Sequence, residues 1–126
     1  MKELKKLKMF KHRVFLTIGE KEYHKTFEKV SDQNNDGILE NAEAMTWNSD
    51  DGGISIIYID DKILQETCDH RAAIAAHEAY HVVKNIENYI GEDCISEEIT
   101  SYIIQYIVKN IMKELIKKEG SSVRLN

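Results

Sequence analysis

Past Asp69 the apolar residues change their spacing to three and four, and the run His77-Glu78-Ala79-Tyr80-His81 stands in the middle of the new pattern. That spacing predicts one long helix over 72–90, opened by Asp69 as N-cap and ended by Gly91. In a helix, positions i and i+4 share a face one turn apart. The imidazoles of His77 and His81 can therefore converge on one ion at about 2.0–2.1 Å each. Glu78 lies about 100° round the helix from His77, beside such an ion rather than on it. There its carboxylate can take a proton from a metal-bound water. An H-E-x-x-H motif in a helix thus points to zinc (Zn2+), with His77 and His81 as ligands and Glu78 as general base. Ala72, Ala73, Ala75, Ala76 and Ala79 surround the motif and let the helix lie close to a sheet or a second helix.

A catalytic zinc usually has three protein ligands and leaves a fourth position for water. His70 is on the same face as His77, but about 10 Å away along the axis, too far to share one ion. It is expected to line the cleft. Ser96 caps a second long helix, which runs to about Glu119 and is expected to stop at Gly120. Glu98, in its first turn, is the candidate third ligand, since the helix dipole favours a carboxylate there. Glu98 also lies one turn before Tyr102, at the start of a stripe through Ile99, Tyr102, Ile103, Tyr106 and Ile107. Glu97 competes for the role, and Glu92, Asp93 and Cys94 are more distant choices.

Ahead of the motif helix the chain reads as β with one short helix. Residues 14–18 form a strand closed by Gly19, and 20–30 a helix with Tyr23, Phe27 and Val30 on one side. Residues 42–47 and 54–60 are strands joined by the turn-forming run 48–53. The second of these is apolar almost throughout, as expected of a strand covered on both faces over part of its length. A small sheet followed by a helical half is an α+β layout, and 126 residues fit one domain spanning 1–126.

Net charge −5 gives no general attraction for nucleic acid. The basic start (Lys2, Lys5, Lys6, Lys8, Lys11, Arg13) reads as a solvated flank to the first strand. No apolar run reaches the roughly 20 residues that span a membrane. Met1 is followed by charged residues rather than an apolar segment. A cytoplasmic protein with Cys68 and Cys94 as free thiols is the expectation.

One other pattern carries metal chemistry. Asp32, Asn34, Asp36, Gly37 and Glu43 fit the EF-hand loop D-x-[DN]-x-[DN]-G-x5-E. Calcium needs six to eight oxygens, and this stretch offers them from Asp32, Asn34, Asp36, Glu43 and the Ile38 carbonyl. An EF-hand needs a helix after its loop, whereas here Thr46, Trp47 and a hairpin turn follow, so a plain turn is the preferred reading.

His77–His81 followed by Glu98 resembles the gluzincin group of zinc metallopeptidases, in which a glutamate on a following helix completes the H-E-x-x-H site. The chain is more similar still to small phage and prophage zincin-like proteins. The matching stretches are Ala44-Met45-Thr46-Trp47, the 54–60 strand, the motif helix, and Glu97-Glu98-Ile99-Thr100-Ser101-Tyr102, in all about residues 42–112. The resemblance implies a zincin fold: a small mixed sheet, a short first helix, an active-site helix and a long C-terminal helix. It implies a peptide or protein substrate laid along an edge strand near the cleft, in the cytoplasm of a bacterium or a phage-infected cell. It also implies a donor steadying the oxyanion, for which Tyr102 is the first choice and Tyr80 and Tyr106 weaker ones. The alternative is a non-enzymatic metal-binding module, either zinc-stabilised or calcium-binding through the 32–43 loop.

Overall fold

Two runs rich in β-branched and aromatic residues, Val14–Ile18 and Ile54–Ile59, form the middle of the sheet because both of their faces are largely apolar. In the computed structural model, residues 1–31, 41–91 and 96–125 are described, with side chains as far as Gly120. The elements are β1 (Lys2–Glu3), a 3-10 turn (Lys5–Phe10), β2 (Arg13–Ile18), α1 (Glu20–Val30), β3 (Ala44–Asn48) and β4 (Ile54–Ile59). A second 3-10 turn (Asp61–Gln65), α2 (Cys68–Ile90) and α3 (Glu97–Leu125) follow. The strands make one mixed four-stranded sheet in the order β1-β2-β4-β3. β2 and β4 run parallel with Val14 opposite Ser55, and the two outer strands pair antiparallel, with Thr46 of β3 opposite Ile57. This is a small α+β architecture, and β3 is one of its edges.

Alternation along the strands sorts the core into two layers. Phe15, Ile56 and Tyr58 face α1 and pack with Tyr23 and Phe27, against partly buried Met45 and Trp47. Val14, Leu16, Ile18, Ile57 and Ile59 face α2 and α3 and pack with Ala75, Ala79, Val82, Val83, Ile86, Ile103, Ile107 and Ile111. The coverage expected of 54–60 is found on both faces. Gly19 begins α1 at φ +91, and a Cβ there would meet Asp61 Oδ1 at 2.8 Å. No other residue type fits that junction without strain.

The helix ends differ from expectation in two places. Thr67, not Asp69, is the N-cap of α2, its hydroxyl accepting from the His70 N–H at 3.4 Å. An extended φ/ψ is needed at a cap, and Thr67 has it, whereas Asp69 is already helical. α3 continues through Gly120 to Leu125. Glycine lowers helix propensity by about 1 kcal/mol but does not by itself end a helix. Arg71, buried, ties these ends together. Its guanidinium donates to the Ile63 carbonyl at 3.1 Å, to the Leu64 carbonyl, and to Glu119 of α3 at 2.9 Å. Among the described residues, no helix is long and apolar enough to cross a membrane. In the basic start, Lys2 pairs with Glu114, and Lys8 and Arg13 with Glu3.

A buried polar knot joins the β3–β4 hairpin to α2. Ser55 Oγ donates to Asn48 Oδ1 at 2.7 Å and accepts from Asn85 at 2.9 Å. With that one hydroxyl proton committed, the 2.9 Å contact to His12 requires the His12 Nε2–H to donate. His12 is fully buried, and its Nδ1 has no partner among the described residues. Burial pushes its imidazole down to about 4, against weaker opposing pulls from the Gly52 carbonyl and Asp51. The unfolded chain takes up this proton near 6.5, the folded chain only near 4. Between those values the unfolded state holds more protons, so stability falls as pH falls. The contribution is whole above about pH 6.5, is lost progressively down to about 4, and amounts to about 3 kcal/mol. Urea midpoints measured across this range should show that decline in the native protein and lack it in His12→Gln.

Candidate functional site

The small residues of α2 decide which side of it remains free. Ala75, Ala79, Val82, Val83 and Ile86 are buried. Counting 100° per residue from Ala79, His77, His81 and His70 lie roughly 160–200° round the helix, on its far side. All three are solvent-accessible, His77 and His81 exposed and His70 half-buried. The Nε2 atoms of His77 and His81 come to 3.0 Å, with ring centroids 4.7 Å apart and planes at 76°. An ion about 2.0–2.1 Å from both nitrogens would see them at roughly 90–95°, an open but workable ligand angle. The same separation suits a ring N–H of one imidazole donating to the bare nitrogen of the other.

Glu78 behaves differently from its neighbours in the motif. It is only 3% exposed, and Thr46 Oγ1 donates to its Oε1 at 2.8 Å. Thr46 follows from the period of β3: Met45 and Trp47 pack on the α1 side, leaving Thr46 toward α2. A groove of about 370 Å³ runs between β3 and α2, lined by Glu43, Ala44, Ala73, Ile74, His77 and Glu78. A carboxylate buried at the wall of a groove, one residue from an exposed imidazole pair, is suited to holding a proton close to a metal-bound ligand.

The other candidates lie elsewhere. Glu98 and Glu97 are exposed at the start of α3. The Arg71–Glu119 contact makes α2 and α3 antiparallel. From that contact, Glu98 lies about 31 Å along α3 and His81 about 15 Å along α2, which leaves them about 16 Å apart in level. The buried stripe of α3 passes through Ile103, Ile107, Ile111 and Leu115. Glu98 is nine residues before Ile107, about half a turn off that stripe. The stripe expected through Tyr102 is therefore displaced: Tyr102 is 62% exposed. It lines an apolar hollow with Lys6, Leu7, Met9 and Phe10. Tyr106 is half-buried beneath Lys6. Tyr80 is the tyrosine beside the pair, its ring 6.3 Å from that of His81 and its face toward Lys84.

Two features escaped the sequence. Thr46 as the partner of Glu78 was legible only from the alternation of β3 combined with knowledge that β3 lies along α2. The second is a group formed by Glu43, Glu66 and His70, whose ligand atoms all lie within 4.8 Å of one another. It is the one such set of three or more His, Cys, Asp or Glu among the described residues, so neither Glu97 nor Glu98 closes on the pair. Of the EF-hand-like loop, residues 32–40 lie outside the described residues, as do Glu92, Asp93 and Cys94. Glu43, its last acid, stands 3.2 Å from the His70 Nε2. Cys68 is a free, exposed thiol.

No protein-family model, curated protein or solved structure matches the chain. The geometry around Glu78 is open to direct test. Thr46→Val keeps the shape and removes the donor, leaving a buried acceptor unsatisfied. A loss of about 1–3 kcal/mol in denaturation is expected. The loss should largely vanish when Thr46→Val is made in a Glu78→Leu background, as a double-mutant cycle would show.

Proposed function

We propose that the chain is a zinc-dependent metallopeptidase of zincin type, with His77 and His81 as metal ligands and Glu78 as general base. The observation that carries this reading is the pairing of two convergent, exposed imidazoles with a buried carboxylate that Thr46 holds in place. The donor set fits zinc, which takes imidazole nitrogen readily. Zinc bound there would polarise a peptide carbonyl and acidify its water. The Oε1 of Glu78 is fixed by Thr46, which leaves Oε2 to accept the proton of the attacking water and pass it to the leaving amine. A peptide or protein substrate lies along the free edge of β3, where unpaired backbone groups accept an extended strand. Tyr80 is better situated than Tyr102 to donate to the developing oxyanion.

The third ligand remains with the acids proposed from the sequence only if α3 shifts along α2. With the register held by Arg71 and Glu119, Glu98→Ala leaves zinc affinity unchanged, and the site keeps its remaining positions for solvent or substrate. Zinc content by elemental analysis, read beside hydrolysis of a mixed peptide library, tests the whole reading. His77→Ala should lose zinc and activity together. Glu78→Gln should keep zinc and lose activity by at least a hundredfold, the low end of general-base contributions. A strong loss of zinc in Glu98→Ala would show that α3 moves to complete the site. Zinc binding with no hydrolysis of any peptide would make the chain a metal-binding module instead.

A further inference from the structure

We propose that Glu43, Glu66 and His70 form a second cation site, distinct from the His77–His81 pair, that holds one divalent transition-metal ion. The three donors come from separate segments: Glu43 just before β3, Glu66 after the second 3-10 turn, and His70 in the first turn of α2. Chain neighbours alone do not bring them together. Their ligand atoms lie within 4.8 Å of one another, with Glu43 Oε1 to His70 Nε2 at 3.2 Å. Ligands about 2.0–2.2 Å from one ion sit roughly 3–4 Å apart, so only small rotamer changes of accessible side chains separate this arrangement from coordination.

Charge points the same way. Glu43 and Glu66 have no Lys or Arg partner among the described residues, yet lie against each other. One imidazole, even protonated, cannot neutralise two carboxylates. A divalent cation can, and it satisfies all three groups at once. The imidazole selects within the divalent ions: magnesium and calcium favour all-oxygen cages, while zinc, cobalt, iron(II) and manganese accept mixed nitrogen and oxygen donors.

His70 is seven residues from His77, about 10 Å along α2, so the two sites cannot share an ion. The two are linked through Glu43, which lines the groove together with His77 and Glu78. An ion at Glu43 would fasten the start of β3 to α2 three residues before Thr46. It would thereby steady the strand that holds Glu78.

Cobalt(II) titration followed by visible absorption, with zinc stoichiometry from elemental analysis after dialysis, tests the site in the full chain. Native protein should bind two ions, and His70→Ala and Glu66→Gln one each. A His77→Ala, His81→Ala double variant should keep one ion and lose it on adding His70→Ala. Unchanged stoichiometry in both His70→Ala and Glu66→Gln would overturn the second site, whatever happens at the pair. Unchanged stoichiometry in the double variant, with loss in His70→Ala, would uphold the second site and instead remove the zinc pair proposed above.

Discussion

Helix α2 is packed on two sides at once, and its composition allows this. Against α3 and the sheet it presents Ala75, Ala79, Val82, Val83 and Ile86, all essentially without solvent contact. Alanines in the middle of the helix let two layers approach its axis, as larger side chains would not at native packing density. With two sides committed, one strip of the helix remains, and it carries His70, Ile74, His77 and His81. The position of the imidazoles on the molecule is therefore a consequence of core packing. They face outward on the solvent side of α2, shared with Ala76, Tyr80 and Lys84, and His77 borders the groove beside β3.

Two charged residues of α2 are buried, and each fixes a register. Arg71 satisfies two carbonyls of the 3-10 turn before the helix and meets Glu119, which sets α3 along α2. Glu78 accepts from Thr46, which sets β3 along α2. Buried charges of this kind add little net stability, because desolvation offsets the attraction, but removing one partner is costly. Their effect is to penalise displaced arrangements. Sliding α3 by one turn would strand a guanidinium, and sliding β3 by one residue would turn Thr46 away and leave a carboxylate in an apolar wall.

The sequence was most legible where a single period ran for ten residues or more. α1 has the bounds 20–30 expected from Tyr23, Phe27 and Gly19, and the motif helix, expected over 72–90, runs Cys68–Ile90; the shorter strand expected over 54–60 from its apolar run is Ile54–Ile59. Short or aperiodic elements were not legible. β1 is two residues long, and the 3-10 turns at Lys5–Phe10 and Asp61–Gln65 have no sequence period to detect. The relative placement of His77, Glu78 and His81 could be read because the helix itself supplies it. That of Glu98 could not, because its relation to that face depends on the register of a second helix. Of the stripe expected through Ile99, Tyr102, Ile103, Tyr106 and Ile107, only Ile103 and Ile107 are buried, and the buried line continues through Ile111 and Leu115, while Ile99 and Tyr102 are exposed.

The motif inverts what stability alone would choose. On an amphipathic helix a glutamate belongs in water and costs nothing there, while a buried one must give up its hydration. Here Glu78 is the buried member, held by one hydroxyl, and the two histidines around it are exposed. A leucine at position 78 would fill the same wall without the desolvation cost, and a surface histidine pair contributes nothing to the core. The arrangement costs desolvation, fixes the register of β3 through Thr46, and holds a carboxylate at the groove wall beside two outward nitrogen donors. Such departures from local consistency concentrate at functional sites. The role of general base proposed for Glu78 would account for this cost, alongside the register that Glu78 fixes with Thr46.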